Sequence, residues 1–310
     1  MSDKSFKETF IEKSTLIAST LLRVSKDFGH SAWNTIKKVF SNTKTIIGFS
    51  VLMLYVLIAI FGPMIFPYDD NTNMALKYLD PSWAHPFGTD WLGRDVFRQV
   101  IAGTGSVLET AFYAAIFTVV IGSVLGILSG YMGGWVDKII MSITNIFLSI
   151  PSFPVYLLLA ALITIETPIA MALVISIWSW AGLCRAIRVQ ILSLKERDYI
   201  QICSVMNMSK AHIIFKELMP NVLSYVVINF VMAMRNAIMA SVGIMLIGLA
   251  SYDPTNWGAI MNAARTKGLV NIHNIFILLY PLVAIIIFQV AALMLANGLD
   301  ETLNPRLKVM

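Results

Sequence analysis

Six long apolar runs dominate this 310-residue sequence. They fall at about 45–66, 107–131, 139–163, 168–184, 222–249 and 274–298, each near the roughly 20 residues that a helix needs to cross a bilayer. Because lipid offers the backbone no hydrogen bonds, these runs predict an all-α, polytopic membrane protein with six transmembrane helices. Only 13% of residues are charged, against roughly 25% in soluble domains, which supports this prediction.

The distribution of Lys and Arg predicts the orientation. Eight precede the first run, one lies at 138, six lie at 185–216 and two follow the last run, which places 17 on one side. The opposite loops hold five, and the last lies inside a run. The positive-inside rule therefore predicts that both termini and the 185–221 loop are cytoplasmic. This topology explains the net charge of +5, so no nucleic-acid partner is expected.

The predicted organisation has three parts. Residues 1–44 form a cytoplasmic N-terminal segment whose mixed apolar and basic residues fit either an amphipathic helix on the lipid surface or an irregular tail. Residues 45–298 form the transmembrane domain, and residues 299–310 form a cytoplasmic tail.

Two features predict local geometry inside the runs. Pro151 and Pro154 interrupt the third run, which predicts a kink whose freed carbonyls need protein or water partners. Gly122, Gly126 and Gly130 repeat every fourth residue in the second run, which predicts close packing against a neighbouring helix.

Catalytic and metal-binding motifs are absent from the sequence. It contains no phosphate-binding loop, zinc-protease motif or nucleophile elbow, and its four histidines lack ligand spacing. Cys184 and Cys203 lie in or beside the predicted cytoplasmic loop, so reduced thiols are expected rather than a disulfide. The chain is therefore expected to be no enzyme and to hold no cofactor or metal of its own.

Polar residues inside the fifth run are candidates for a translocation path. Charges inside a membrane are costly, and Arg235 lies near the middle of this run. It either faces a water-filled path and contacts cargo, or pairs with a helix of a companion subunit. Asn229 and Ser241 are further candidates on the same run.

The 185–221 loop mixes basic residues with apolar residues near helical spacing. Such a segment can lie at the membrane surface and fill a groove on a soluble partner, although a surface helix without a partner has the same pattern. The candidate docking residues are Tyr199, Gln201, Ile202, Cys203, Met206, Asn207, Met208 and Ser209.

This loop resembles the signature of inner-membrane permease subunits of binding-protein-dependent ABC importers, which is E-A-A followed by a Gly and a Pro. Gln201-Ile202-Cys203, Asn207 and Pro220 keep the spacing, and the Pro keeps the identity. Asn tolerates a left-handed backbone better than other non-glycine residues, so Asn207 is expected to end a helix where the family has Gly.

Four further motifs are similar to those of the oligopeptide/dipeptide branch, particularly its C-type permease, and the resemblance covers roughly 45–310. They are HPFGTDWLGRDV at 85–96, GYMGGWVD at 130–137, LSLKERDY at 192–199 and NPRL at 304–307. The fifth helix departs from the family, because Ala237–Ser241 stands where A-I-L-x-E is usual.

The resemblance implies the type I ABC importer permease fold, with a cytoplasmic coupling helix, in a prokaryotic cell membrane. The implied partners are a second homologous permease subunit, two ATPase subunits that bind ATP and Mg, and a solute-binding protein outside the cytoplasm. Expected contacts with the binding protein are Trp83, Trp91, Asp253 and Trp257.

Alternatives remain open for the cargo and for the class of protein. Oligopeptides or dipeptides are the leading cargo, while nickel chelates and oligosaccharides are served by the same branch. A stand-alone secondary carrier is the rival from another class, followed by a membrane enzyme or scaffold.

Overall fold

The computed structural model describes residues 37–250, 253–268 and 275–303. Most of the predicted N-terminal segment, and the predicted tail from residue 304, lie outside these described residues. Within them the regular structure is helical and no β-strand occurs, apart from one isolated bridge between Thr89 and Asp95. The predicted all-α fold is confirmed.

Nine helices longer than a single turn organise the described residues. They are α1 (Thr43–Ile65), α2 (Val96–Met132), α3 (Gly134–Ser149), α4 (Ser152–Leu162), α5 (Pro168–Lys195), α6 (Asp198–Val205), α7 (Met219–Ile247), α8 (Trp257–Thr266) and α9 (Phe276–Leu303). A short turn (Lys210–His212) and a π-helical turn (Ile213–Leu218) lead directly into α7. We call the side that carries residues 196–218 the basic side and the other the opposite side.

Five helical segments in the described ranges are long and apolar enough to cross a membrane: α1, α2, α5, α9, and α7 together with its two preceding turns. The pair α3 and α4 adds a sixth crossing if it is counted as one broken span. Helix α2 begins at Val96 because Asp95 caps it, accepting a hydrogen bond from the Arg98 backbone N–H at 3.0 Å.

The glycine repeat joins α2 to α5 along their length. A Cβ built on Gly126 would lie 2.7 Å from the Cys184 carbonyl oxygen, and one on Gly130 would lie 2.8 Å from the Ile191 side chain. Helices this close gain dispersion contacts that larger residues would prevent. The predicted packing role of the glycines is confirmed.

Ion pairs fasten the helices at the basic side. Asp137 on α3 accepts from Arg188 Nε at 2.5 Å and Nη2 at 2.6 Å, and from the Ser129 hydroxyl of α2 at 2.5 Å. Lys44 on α1 pairs with Glu301 on α9. Helix α5 extends to Lys195, beyond the end of the predicted run at residue 184. The basic residues of this extension have partners on neighbouring helices.

Helix α8 packs into the opposite side of the bundle. Trp257 is fully buried, donates from Nε1 to the Val100 carbonyl at 3.0 Å and lies edge-on to Tyr55. A Cβ on Gly258 would lie 2.8 Å from the Val242 carbonyl oxygen, so α8 also lies tightly against α7.

Candidate functional site

An open cleft of about 930 Å³ lies beside the middle of α7. Its walls come from α7, from α5 and from the break between α3 and α4, with Thr118 contributed by α2. We call it the central cleft. Its polar lining residues are Thr118, Ser152, Tyr156, Trp178, Ser179, Asn229 and Asn236.

The broken helix shapes one wall of the central cleft. Helices α3 and α4 meet at 87°, so the kink predicted from Pro151 and Pro154 is present. Pro154 has no N–H to donate to the Ile150 carbonyl four residues earlier. Trp178 of α5 supplies a donor instead, with its Nε1 at 3.4 Å from that carbonyl. The freed carbonyl thus has the protein partner that a membrane interior requires.

Polar groups of the cleft differ in how many hydrogen bonds they still offer. The Tyr156 and Ser179 hydroxyls lie 2.8 Å apart and bind each other. Asn229 Nδ2 donates to the Tyr225 carbonyl at 2.9 Å, which leaves its Oδ1 for the cleft. The exposed side chain of Asn236 has no hydrogen-bond partner within the described residues.

The three predicted path residues occupy different positions. Asn229 lines the central cleft. Ser241 is fully buried and donates to the Ile238 carbonyl at 3.1 Å. Arg235 does not line the cleft, and Gln289 of α9 donates to its backbone carbonyl at 3.0 Å. Sequence reasoning missed Asn236, whose helical spacing from Asn229 puts both amides on one face of α7.

Buried polar atoms mark the contact between α7 and α9. Arg235 Nε and Gln289 Oε1 are buried without a hydrogen-bond partner among the described residues. The first is a donor and the second an acceptor on facing helices. Arg235 therefore belongs to this helix contact in the structure, beside the cleft rather than on its wall.

Residues 196–218 form a compact segment at the basic side, which we call the docking segment. Ile200, Cys203, Ile213 and Leu218 are buried and pack with Ile187, Ile191 and Val222 of α5 and α7. Both cysteines of the chain are free thiols. This inner face fixes the segment to the two helices that line the cleft.

The outer face of the docking segment is apolar and uncovered. The exposed fractions are 41% for Tyr199, 56% for Ile202, 87% for Val205 and 65% for Met206. An exposed cluster of large apolar side chains is characteristic of a surface that a partner covers. Gln201 lies on the same helix, exposed, with Nε2 at 3.4 Å from the Glu196 carbonyl.

Asn207 ends α6 with a left-handed turn. Its φ of +54° is one of two positive values among the described non-glycine residues. The Met208 N–H donates to the Cys203 carbonyl at 3.1 Å, which is the long-range bond of a Schellman motif. Ser209 then caps the next turn by accepting from the His212 N–H at 3.2 Å. The turn predicted at Asn207 is confirmed.

A basic-side groove of about 830 Å³ lies next to the docking segment. It is lined by the ends of α5 and α9 and by the start of α7, and unlike the central cleft it contains charged residues. These are Arg197, Asp198 and Asp300.

Residues 68–99 form a polar structure on the opposite side, which we call the outer cap. The fully buried Asp90 accepts from the backbone N–H groups of Leu92 and Arg94 at 2.8 and 2.9 Å. Its second oxygen accepts from Arg94 Nε at 2.8 Å and Gln99 Nε2 at 2.9 Å. The GTDWLGRD motif therefore satisfies its own polar groups.

The outer edge of this network contains Tyr68 and Asp70. Arg94 Nη1 and the Tyr68 hydroxyl both donate to Asp70 Oδ1 at 2.8 Å. Tyr68, and then Arg94, hold the pKa of the Asp70 carboxyl below its usual range. Burial, and then Asp70, raise the pKa of Tyr68. Burial by itself lowers the pKa of Arg94, but the charge and hydrogen bonds of Asp90, together with Tyr68 and Asp70, outweigh it, so the pKa of Arg94 is raised.

Glycines of the same motif are fixed by close contacts. Gly93 has a φ of +75°, and a Cβ there would lie 1.9 Å from the Asn73 carbonyl oxygen. His85 Nδ1 lies 2.9 Å from Asp95 Oδ2, which ties the start of the motif to the cap of α2. The motif therefore builds and positions the end of α2 that begins at Val96.

The four predicted contacts with a binding protein are not equivalent. Trp83 is fully exposed, whereas Trp91 is half-buried and its ring lies 5.3 Å from the Arg94 guanidinium carbon. Asp253 accepts from the Thr255 N–H at 2.8 Å and is partly exposed. The buried Trp257 has no surface to offer a partner in this structure.

Metal-binding geometry is also absent from the described part of the chain. No three His, Cys, Asp or Glu side chains there are grouped to hold a metal ion.

Comparisons with known proteins agree with the helical membrane fold described above. Residues 122–309 match the family described as "Binding-protein-dependent transport system inner membrane component", and residues 31–81 match the "N-terminal TM domain of oligopeptide transport permease C".

Named relatives are permease proteins from several bacteria. The chain is 31% identical to the glutathione transport system permease protein GsiD of Pectobacterium atrosepticum, over 83% of this chain and 85% of that protein. It is 29% identical to the dipeptide transport system permease protein DppC of Alkalihalophilus pseudofirmus, over 90% and 91%. A putative peptide permease protein of Brucella suis is 28% identical over 95% and 98%. The chain is therefore a membrane transport component rather than an enzyme, and it belongs to the family of binding-protein-dependent transport system inner membrane components.

Proposed function

We propose that this chain forms one half of the translocation path of an ATP-driven peptide importer. The cargo is proposed to be oligopeptides or dipeptides, since relatives carry dipeptide, peptide and glutathione transport in their names. A second homologous permease subunit supplies the other half. Two ATPase subunits that bind ATP and Mg, and a solute-binding protein outside the cytoplasm, complete the transporter.

One arrangement carries the proposal. Helix α6 lies in sequence between α5 and α7, the two helices that contribute most of the central cleft, and exposes Tyr199, Ile202, Val205 and Met206 beside them. An ATPase subunit docked on this face moves the ends of both helices when it binds or hydrolyses ATP. The cleft then alternates between the two sides of the membrane by rigid-body motion.

The inner face of the docking segment transmits the motion. Ile200 and Cys203 pack on α5, while Ile213 and Leu218 lead through the π-helical turn into α7. Tightly packed interiors deform little, so displacement of α6 reaches the cleft helices rather than being absorbed. This proposal places the basic side, with both termini, in the cytoplasm in accordance with the positive-inside rule.

The opposite side is proposed to receive the solute-binding protein. Trp83 is the most exposed of the four candidate contacts, and Trp91 and Asp253 are partly accessible. Aromatic residues of this kind are enriched at the centres of protein interfaces. The turn from Ser82 to His85, which carries Trp83, is tied to the start of α2 by the contact between His85 and Asp95.

Reconstitution of the complete transporter tests the proposed function. The chain is purified with its companion permease and ATPase subunits, placed in liposomes and supplied with binding protein and labelled di- and tripeptides. We expect accumulation that requires ATP and persists when ionophores collapse ion gradients. Peptide uptake by the chain alone, driven by an ion gradient, would instead establish a secondary carrier. ATP-driven uptake of oligosaccharides or nickel without peptides would overturn the cargo assignment.

A further inference from the structure

We infer that the central cleft selects the peptide backbone and is indifferent to the charge of the cargo's side chains. This inference rests on the proposed function and specifies the class of peptide that the path accepts. Asn236 and Asn229 supply the backbone-recognising groups, and the rest of the cleft offers uncharged surface.

The lining of the central cleft contains no Asp, Glu, Lys, Arg or His among the described residues. Three arginines lie near cleft residues in the sequence but outside the lining. Arg185 donates to Asn145 at 2.7 Å and Arg188 pairs with Asp137, whereas Arg235 faces α9, where its Nε is buried without a partner among the described residues. The uncharged lining is therefore a property of the wall itself.

The exposed amide of Asn236 matches the chemistry of a peptide group. A side-chain amide offers both N–H donors and a carbonyl acceptor, as the backbone of a peptide does. Asn236 has no partner within the described residues, and the Oδ1 of Asn229 is available as a further acceptor. These groups can replace water around a passing peptide bond regardless of which side chains flank it.

The remaining surface suits side chains of varied shape. Met232 and Met239 line the cleft together with Phe153 and Trp178. Methionine is flexible and polarizable, and surfaces rich in it bind varied partners. Such a wall accommodates cargo side chains without fitting any one of them closely.

The basic-side groove differs from the central cleft because charged residues line it. Arg197, Asp198 and Asp300 line that groove, so both signs of charge are present there. A fixed charge in the less polar centre would hold cargo of opposite sign and repel cargo of like sign. An uncharged centre avoids both effects.

Substitutions of Asn236 by residues of opposite charge test the inference, because the two variants should change the charge selectivity of uptake in opposite directions. Asn236→Asp and Asn236→Lys are placed in the complete transporter, and uptake is measured for three matched peptides of net charge −1, 0 and +1. Each rate is divided by the wild-type rate for the same peptide, so the selectivity of the binding protein cancels.

We expect Asn236→Asp to change uptake of the anionic peptide relative to the neutral one by roughly tenfold and that of the cationic peptide by a similar factor in the opposite direction, and we expect Asn236→Lys to reverse both changes. Tenfold corresponds to about 1.4 kcal/mol, close to the interaction of two charges about 10 Å apart at an effective dielectric constant of about 20. The uncharged variant Asn236→Ser, normalised in the same way, should show no such dependence on charge.

Three further variants guard against misinterpretation. Asn145→Asp adds the same charge outside the cleft, next to Arg185, and should leave all three ratios unchanged. Met239→Asp and Met239→Lys repeat the test at an exposed cleft position if the Asn236 variants do not assemble.

The outcomes separate this inference from the proposed function. Equal loss of all three peptides in both charge variants, or selectivity of the same sign in both, overturns the inference. Failure of the wild-type transporter to import any of the three peptides overturns the proposed function instead.

Discussion

The outer cap and the docking segment both carry family motifs, yet they direct their side chains in opposite ways. In the outer cap, Asp90 has four hydrogen-bond donors and Arg94 has two carboxylate partners. In the docking segment, Ile202 and Met206 project from the protein with most of their surface uncovered. The cap completes its interactions within the chain, whereas the apolar outer face of the docking segment stays uncovered in the described part of the chain.

Under the proposed function, this difference separates a motif that builds the fold from one that meets the ATPase subunit. A buried polar network is costly when any member is lost, so its residues are needed together to form one structure. An exposed apolar face contributes little to the stability of the chain that carries it. Substitutions in the two regions should therefore have different consequences, the first for folding and the second for coupling to ATP hydrolysis.

The largest expected effect is loss of stability in Asp90→Ala. Removing this carboxylate leaves Arg94 and Gln99 buried without their main acceptor, which typically costs about 3–5 kcal/mol. Thermal unfolding of the purified chain in detergent, together with its yield in membranes, measures the effect. Asp80→Ala, an exposed change in the same cap, should stay within about 0.5 kcal/mol of wild type. Equal unfolding temperatures for the two variants would contradict the structural role of the Asp90 network.

The next effect concerns docking. Ile202→Asp with Met206→Asp should weaken ATPase association by about 2 kcal/mol or more, because charge replaces apolar surface at the centre of the proposed contact. Co-purification of the ATPase subunits and the uptake obtained per ATP hydrolysed are the measurements. The isolated chain should unfold at nearly the wild-type temperature, since both side chains are exposed in it.

Gln201→Asp provides the matched control for docking. It adds a charge to the same helix but removes no apolar contact, because the Gln201 amide points to the Glu196 carbonyl. This variant should keep most of the ATPase association. If the double variant destabilises the isolated chain as much as Asp90→Ala does, the apolar face is structural and the comparison between the two regions fails.

Sequence patterns predicted the features that depend on local chemistry. The glycine repeat, the kink at Pro151 and Pro154 and the turn at Asn207 each follow from one residue type and its backbone or steric properties. The all-α class followed from the length of the apolar runs. These features need no knowledge of which helices become neighbours.

Features that depend on tertiary neighbours were not predictable from the sequence. Helix α5 continues to Lys195 because Arg188 finds Asp137, a partner 51 positions away along the chain. Trp257 is buried because α8 packs against α2, where Trp257 binds the Val100 carbonyl. Its position in a predicted loop had suggested exposure. Asn236 was missed because its place on the cleft depends on the face that α7 turns toward α5.

A smaller effect is expected at the turn after α6. Asn207→Ala should cost about 1 kcal/mol of folding stability. Ala is disfavoured by about that much in the left-handed backbone conformation, which Asn tolerates better. Asn207→Gly should be neutral or slightly stabilising. Thermal unfolding measures both.

In the outer cap, Gly93→Ala should lower the unfolding temperature more than Asn207→Ala does, since its Cβ would overlap the Asn73 carbonyl.

The smallest effect is a pH dependence confined to the outer cap. Hydrogen bonds from Tyr68 and then Arg94 lower the pKa of Asp70 in the folded chain below its unfolded value of about 3.9. A lowered folded pKa stabilises the chain above the unfolded pKa, and the stabilisation is lost as pH falls through the folded pKa. The effect is small because the Asp70 side chain is 68% exposed and screened by solvent. Unfolding temperatures of wild type and Asp70→Asn should therefore differ most near neutral pH and begin to converge only as pH falls below about 4, toward the folded pKa of Asp70. A constant difference across that range would mean that the Asp70 carboxylate gains nothing from Tyr68 and Arg94, and the outer cap would then rest on Asp90 alone.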